Sequence, residues 1–405
     1  MASHAPPMFG APRQSRGAPR YSDRLLTRRL LKEAHLLVVA LLLLPACASR
    51  GVSPDAGRTL WSEAGKEEEA LLARVKVYND PSLADYLSRI TDRWLPGTAV
   101  VVLQDPTLNA FAMPNGRIYL HTGLLSRVDN EAQLATILAH ELTHNADRHA
   151  LGSTRAADRT RVVGGVFSPT AGAILGLGLR LAATAAITGY GHDREREADA
   201  ASLKRLVTAG YDPKEAPEVY RLLARGADEG GPLERFLLGN PAHLQERIAA
   251  TEELLRRGYT QAGPAFAGLR NTDGFVSRRR VVVRDNAALD IRAGRFELAR
   301  EQLDRALAVT PDDPIAELYY GDLYRLRSQQ VPAAQNDDVG RAVQRYERAA
   351  ALDPTYADPF RQLGFLYYQQ KDAAKAREAF ARYLVLAPAA PDARRIREYL
   401  AALDR

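Results

Sequence analysis

The stretch Leu138-Ala139-His140-Glu141-Leu142-Thr143-His144 constrains this chain of 405 residues more than any other. It has the pattern H-E-x-x-H, and residues four apart lie on one face of a helix. His140 and His144 can therefore bind a single zinc ion while Glu141 faces the water that the ion activates. Zinc lowers the pKa of such a water to roughly 7, and the carboxylate can carry its proton to a leaving amine. The motif predicts the centre of a metal-dependent hydrolase.

A chance match to three fixed letters is the alternative interpretation. Either Asp129 or Asn130 can cap the start of a helix here, and the apolar residues around the motif recur at helical spacing. This context indicates that the motif lies on a buried helix, and it makes a chance match the less favoured interpretation.

Two histidines leave the zinc ion short of a third protein ligand. One class of H-E-x-x-H enzyme has a glycine and a further histidine at fixed later positions, which are Asp147 and Ala150 here. The other common arrangement takes a glutamate from a later helix, and an aspartate four residues on orients a ligating histidine. Glu195 and Asp199 have that spacing.

Three separated stretches resemble a gluzincin family of zinc metallopeptidases that includes HtpX, the CAAX prenyl protease and BepA. They are residues 109–120, the helix with His140 to His144, and residues 195–199. The family's third ligand stands four residues before the aspartate, which implies Glu195 rather than Glu197. The resemblance also implies one zinc ion per chain and hydrolysis of peptide bonds in protein substrates. This sequence departs from the family at Gly191-His192, where a serine-arginine pair is usual.

Three short strands are predicted before the motif helix. Residues 98–104 are rich in β-formers, and residues 109–112 and 117–121 flank a turn at Pro114-Asn115-Gly116. In the resembling family this sheet has an edge that pairs with an extended substrate, so that the enzyme reads mainly backbone. The resemblance therefore implies that Asn109, Ala110, Phe111 and Ala112 form the substrate-binding edge strand.

The N-terminal residues have the layout of a secretory signal peptide. Residues 1–46 carry seven basic and two acidic residues, so the remaining chain is almost neutral despite the overall charge of +6, and no nucleic-acid partner is expected. Basic residues precede the apolar run 36–44, which is too short to span a bilayer. Cys47, the only cysteine, follows Leu44-Pro45-Ala46 as in a bacterial lipobox. We expect a lipidated Cys47 to hold the mature chain on a membrane.

Residues 162–187 are rich in glycine, alanine and leucine. The segment could dip into a membrane or cover the active site. A close-packed helix pair or a loop in a soluble domain is favoured, because no uninterrupted apolar run reaches spanning length.

The C-terminal part repeats. Pro354 and Pro388 lie 34 residues apart, the period of a tetratricopeptide repeat, and Pro311 precedes Pro354 by 43 residues. Alignment on these prolines gives a column of small residues, Ala287, Gly321 and Gly364, and a column of large ones, Leu303, Tyr346 and Phe380. Paired helices with small residues at fixed points pack closely into a solenoid. Such repeats predict a surface for a protein partner.

One histidine of a later segment is a candidate regulator. The resembling family has a histidine-proline pair before an arginine-isoleucine pair, and the histidine can fill zinc's open position. Here Asn240 takes that place, and His243 is the imidazole nearest to it. His243 could restrain the site, contribute to transition-state stabilisation, or be a helix-start residue with no metal contact.

We expect a mainly α fold, with a gluzincin-type zinc peptidase domain of helices and a small β-sheet followed by an α-solenoid. The predicted divisions are a signal peptide with an N-terminal extension (1–46), a lipidated tether (47–65), the peptidase domain (66–258), a linker (259–281) and tetratricopeptide repeats (282–405). The predicted function is zinc endopeptidase in envelope protein quality control or assembly, lipid-anchored at the periplasmic face of the outer membrane. The alternative is a chaperone or assembly factor whose zinc site is idle.

Overall fold

The computed structural model describes residues 54–146, 192–229, 241–258, 269–331 and 335–403. The predicted signal peptide, Cys47 and the segment 162–187 lie outside these residues. Described residues from Arg58 onward belong to one compact unit. Within the described ranges, no helix combines the length and the apolar character that crossing a membrane requires.

Helices predominate in the N-terminal part, and a small sheet lies among them, as the sequence predicted. The elements in chain order are α1 (Pro54–Leu72), α2 (Pro81–Thr91), β1 (Val100–Leu103), β2 (Ala110–Ala112), β3 (Ile118–His121), α3 (Thr122–Arg127), α4 (Glu131–Ala146), α5 (His192–Thr208), α6 (Glu215–Glu229) and α7 (Pro241–Gly258).

The three strands form one sheet in the order β1-β3-β2. β1 runs parallel to β3, with Val100 opposite Ile118, and β2 runs antiparallel to β3, with Phe111 opposite Tyr119. Gly116 turns the chain from β2 to β3 at a φ of 88°, a left-handed conformation that glycine adopts without strain. β2 is therefore an edge strand of this sheet.

The helix α4 is held inside the N-terminal core. Leu134, Leu138 and Leu142 are buried at helical spacing. The Asn130 side chain accepts a hydrogen bond from the Gln133 backbone N–H at 2.9 Å, and the Gln133 side chain accepts one from the Asp129 N–H at 2.8 Å. This reciprocal capping fixes where the helix begins.

The segment predicted as a tether is partly helical. α1 begins at Pro54 and continues across the predicted boundary at residue 66. Ala64 and Leu71 are fully buried, and Glu68 accepts hydrogen bonds from Asn115 at 2.6 Å and from the Tyr119 hydroxyl. Contacts with the β2–β3 hairpin thus stabilise a helix in a segment whose polar composition had indicated a tether.

The C-terminal part is a run of helix pairs, as the repeat pattern predicted. The helices are α8 (Thr272–Arg292), α9 (Phe296–Val309), α10 (Pro314–Gln330), α11 (Gln335–Leu352), α12 (Ala357–Gln369), α13 (Ala373–Leu386) and α14 (Ala393–Leu403).

Small and large residues of the aligned columns face each other inside these pairs. A Cβ atom on Gly321 would lie 2.3 Å from the Tyr346 ring, and one on Gly364 would lie 2.4 Å from the Phe380 ring. Glycine is required at both positions because the neighbouring aromatic ring fills the space of a side chain.

The predicted linker 259–281 needs correction, because α8 begins at Thr272. Phe275 and Val282 pack in the N-terminal core, whereas Ala287 and Ile291, further along the same helix, pack in the core of the first repeat. One continuous helix therefore serves both parts of the chain. Gly263, Pro264 and Gly268 had indicated a longer break.

Candidate metal centre

Two helices contribute the residues that the motif analysis singled out. α4 carries His140, Glu141 and His144, and α5 carries Glu195 and Asp199. Four of these residues are at least nine-tenths buried, and the Glu195 side chain is 14% exposed. The helical spacing and the packing of α5 against α4 bring them into one cluster.

Three side chains of this cluster form a group that could hold a metal ion. The Nε2 atoms of His140 and His144 lie 3.1 Å apart, and Glu195 carboxylate oxygens lie 3.3 Å and 3.7 Å from them. Donors at the corners of a tetrahedron, each 2.0–2.1 Å from a zinc ion, are about 3.4 Å apart. Two imidazoles and a carboxylate at these separations fit a zinc ion.

Asp199 contacts the other side of the His140 ring. Its Oδ1 atom lies 3.0 Å from His140 Nδ1. A carboxylate at that nitrogen fixes the tautomer and the ring orientation, so that Nε2 faces the three-donor group. The spacing of four residues between Glu195 and Asp199 puts one carboxylate on each side of the imidazole.

The two carboxylates make the cluster strongly attractive to positive charge. Burial lowers the pKa of His140, but hydrogen bonds to Asp199 and Glu195 outweigh burial and raise this pKa to about 10. Burial conversely raises the pKa of each carboxylate, yet His140 and Arg247 hold both well below the usual range. A metal ion binds neutral imidazole, so loading of the site would release a proton.

Two residues that the sequence analysis did not name as site residues hold Asp199. Arg247, on α7, donates to both Asp199 oxygens, at 2.9 Å from Nε and 2.6 Å from Nη2, and its Nη1 lies 3.5 Å from Glu195. The Tyr220 hydroxyl, on α6, donates to Asp199 at 2.6 Å. Arg247 belongs to the arginine-isoleucine pair of the family resemblance, and that pair was the signal that could have identified it.

Glu141 lies between this cluster and the edge of the sheet. Its carboxylate accepts a hydrogen bond from the backbone N–H of Ala112, on β2. Burial is the largest influence on the Glu141 carboxyl and raises its pKa to about 7. A group with this pKa can accept and donate a proton near neutral pH.

The structure separates the remaining candidates from the three-donor group. Glu197 is exposed on α5. His243 lies in the first turn of α7, with Nδ1 3.7 Å from Glu246, and is outside the group that could hold a metal. Asn240 is outside the described residues. A regulatory role for His243 stays a prediction.

Two family models match separate parts of the chain. Residues 84–265 match the model of peptidase family M48, and residues 330–401 match a tetratricopeptide repeat model. The first match contains α4, α5 and α7, which carry the cluster described above.

Curated relatives with similar sequences are metalloendopeptidases and assembly-enhancing proteases. Mitochondrial metalloendopeptidase OMA1 of Arabidopsis thaliana is 31% identical over 183 residues, which cover 44% of this chain and 36% of the relative. The putative beta-barrel assembly-enhancing protease of Vibrio cholerae is 27% identical over 248 residues, 56% of this chain and 49% of the relative. The beta-barrel assembly-enhancing protease of Escherichia coli K12 is 28% identical over 180 residues, 40% and 37%. The chain spans less than half the length of these relatives.

Proposed function

This chain combines a peptidase family M48 domain with tetratricopeptide repeats, and on that basis we propose that it is a zinc-dependent endopeptidase of protein substrates. The observation that carries the proposal is a buried carboxylate, Glu141, which lies beside a three-donor group and accepts a hydrogen bond from an edge strand. A base, a metal site and a strand that can align a peptide backbone are the parts that peptide hydrolysis requires.

His140, His144 and Glu195 would hold one zinc ion per chain. When bound, zinc supplies Lewis acidity, which lowers the pKa of an attacking water and polarises the scissile carbonyl. Glu141 takes the proton of that water and delivers it to the leaving amine. Asp199, held by Arg247 and Tyr220, keeps the His140 ring in its ligating orientation.

We propose that the edge strand of Asn109, Ala110, Phe111 and Ala112 aligns the substrate. Asn109 accepts a hydrogen bond from the His121 N–H, and the Met113 N–H donates to Arg117, both across the β2–β3 pair. Backbone N–H and C=O groups of alternate residues in an antiparallel strand point to opposite sides, so those of Ala110 and Ala112 point away from β3. The Ala112 N–H donates to Glu141, so the backbone groups of Ala110 are the ones proposed to pair with a peptide. An extended peptide added at that edge would pass close to Glu141.

The substitution Glu141→Gln tests the catalytic assignment. Loss of the base is expected to lower the turnover of casein by roughly 10²- to 10⁴-fold while about one zinc ion per chain stays bound. Zinc content measured by inductively coupled plasma mass spectrometry, together with cleavage followed on gels, gives both numbers. The control is Glu197→Gln, an exposed glutamate on α5 that should change neither. Near-normal turnover in Glu141→Gln would refute the role of Glu141.

The unchanged protein and Glu141→Gln also separate the enzyme from a chaperone or assembly factor with an idle zinc site. Both proteins are assayed for casein cleavage and for suppression of client aggregation. An enzyme cleaves casein only with Glu141 intact, whereas the alternative predicts no cleavage by either protein and equal suppression of client aggregation by both. In either case the tetratricopeptide repeats are the proposed surface for a protein partner.

We propose further that the protein works in the bacterial cell envelope, in protein quality control or assembly. The two bacterial relatives described above are named for enhancing the assembly of β-barrels. The sequence around Cys47 supports a lipid anchor. We propose the periplasmic face of the outer membrane as the place of this anchor.

The substitution Cys47→Ser tests the anchor in a bacterial host. Acyl chains contribute roughly 0.8 kcal/mol per buried methylene, so their loss should move the protein from the membrane fraction to the soluble fraction. Fractionation and mass spectrometry of the N-terminal peptide measure the distribution and the lipid. Persistence of the variant on membranes would contradict lipidation as the anchor.

A further inference from the structure

A cavity of about 380 Å³ lies between the start of the repeats and the segment that precedes α4. Its wall is largely apolar and comes from α8 and α9, through Val276, Val283, Ala308 and Val309. Asp129, from the segment before α4, also lines it. This volume falls within the range of pockets that bind small ligands, about 300–1,000 Å³.

Arg279, on α8, is a buried cation at this cavity. It is 5% exposed, its Nη1 donates to the Ser126 carbonyl at 2.7 Å, and its Nε has no hydrogen-bond partner. Burial and the neighbouring Arg305 lower its pKa to about 10, so it stays charged at neutral pH. A buried charge that lacks an ion pair is costly, and a bound anion would reduce that cost.

The charge of Asp129 attracts Arg279 and raises its pKa, and the Arg279 guanidinium lies 5.2 Å from the centre of the Phe275 ring, but neither contact is an ion pair. Asp129 is the acidic residue of the lining, and its Oδ1 lies 3.5 Å from Arg305 Nη1. No carboxylate in the described ranges forms an ion pair with Arg279. Arg280 is a third arginine of the lining. The cavity therefore has an excess of positive charge above an apolar wall.

We propose that this cavity binds the C-terminal carboxylate of a polypeptide whose last side chain is apolar. A guanidinium nitrogen donates a strong, charge-assisted hydrogen bond to a carboxylate, and the valine-lined wall matches an apolar side chain. The exposed rim, with Thr272, Asp129, Arg280 and Arg305, is polar. A polar rim suits a peptide backbone that leaves the pocket and does not suit a long alkyl chain. The site is separate from the metal centre and does not depend on proteolysis.

The probe is a fluorescein-labelled hexapeptide, Gly-Ser-Gly-Ser-Ala-Leu, with either a free C-terminal carboxylate or a C-terminal amide. Fluorescence anisotropy measures its binding to the full chain that carries Glu141→Gln, so that cleavage of the probe does not confuse the titration. We expect the acid to bind at least tenfold more tightly than the amide. Equal binding of the two peptides would overturn the proposal.

Two kinds of variant assign the binding to this cavity. Arg279→Met keeps the bulk of the buried side chain without its charge and should abolish the preference for the acid. Val309, at the C-terminal end of α9, is 36% exposed and tolerates change, so Val309→Glu should weaken binding of the acid several-fold more than the matched Val309→Gln. The Val309 pair decides the matter if Arg279→Met does not fold, as judged by circular dichroism. An unchanged preference in folded Arg279→Met, or equal binding by the Val309 pair, would refute the site.

Decanoate, a fatty acid with the same carboxylate group, tests whether the cavity binds a lipid instead of a peptide. Failure of decanoate to displace the acid peptide at concentrations up to the millimolar range supports a peptide ligand. Binding of decanoate with dependence on Arg279, in the absence of peptide binding, would overturn the assignment to a polypeptide.

Discussion

Glu195 and Glu197 are two residues apart on one helix, yet their surroundings differ. Successive residues of a helix are rotated by about 100°, so these two side chains leave α5 in nearly opposite directions. Glu195 reaches both histidines, whereas Glu197 is exposed. The sequence could distinguish them only through Asp199, whose spacing of four residues from Glu195 matches a ligand followed by an orienting carboxylate.

This difference predicts how zinc content responds to each change. Glu195→Gln removes a charged donor and should weaken zinc binding by roughly 100-fold or more, since loss of an orienting carboxylate alone costs about 10- to 100-fold. Glu197→Gln, the matched control, should leave the affinity unchanged. Competition with a chromogenic chelator measures both. A larger loss of zinc affinity in Glu197→Gln than in Glu195→Gln would indicate that Glu197 is the third ligand.

Arg247 and Tyr220 mark the limit of what residue spacing predicts. The two histidines and Glu141 follow from the period of one helix, and Glu195 follows from a short pattern on another. Arg247 and Tyr220 reach Asp199 from two further helices, and only the packing of α6 against α4 and α7, and of α7 against α5, makes those contacts. Residue spacing does not encode such packing, and only the arginine-isoleucine pair of the family resemblance could have indicated Arg247.

At the scale of elements, the strands were predictable because they are short runs of β-formers around a turn. The observed ends differ from the predicted ones by one or two residues: 98–104 was predicted for Val100–Leu103, and 109–112 for Ala110–Ala112. Their order was not predictable from the residues, because the pairing of β3 between β1 and β2 depends on tertiary contacts. That order is what leaves β2 at an edge.

The edge strand supports a prediction about substrate binding. Ala110→Pro removes a backbone N–H on the open side of β2, and a net hydrogen bond of about 0.5–1.5 kcal/mol corresponds to a roughly two- to thirteenfold fall in kcat/KM for an extended peptide. Zinc content should be unchanged. Ala110→Val, which keeps the N–H, is the matched control and should retain activity. Equal kcat/KM for the two variants would exclude backbone pairing at this residue.

For the molecule as a whole, the repeats were predictable and their junction with the peptidase domain was not. Columns of small and large residues indicated the helix pairs, because close packing restricts both positions at once. The start of α8 was hidden, since Phe275 and Val282 look like ordinary apolar residues beside a glycine-rich segment. Their burial in the N-terminal core depends on long-range packing that a repeat period does not reveal.

Because α8 contributes to both cores, we expect thermal unfolding of residues 58–405 to be a single cooperative transition. Phe275→Ala should lower the free energy of unfolding by about 3–5 kcal/mol and shift that transition as a whole. Val385→Ala, a change at a residue that is 71% exposed, is the control and should cost less than about 0.5 kcal/mol. Calorimetry with circular dichroism measures the transition. Two separate transitions, of which Phe275→Ala moves only one, would contradict a shared core.

The shared helix also restricts how such a protein can change in evolution. A recombination breakpoint at residue 282 would divide α8 between two parents, so one parent would supply Phe275 and the other would supply Ala287 and Ile291. A gene that exchanged its repeats at this point would encode an α8 whose two halves come from different parents. Its contacts with the N-terminal core and with the first repeat would not have evolved in the same helix. We expect recombination to exchange the repeats without loss of stability only when all of α8, and the surface of α3 on which it packs, are exchanged with them.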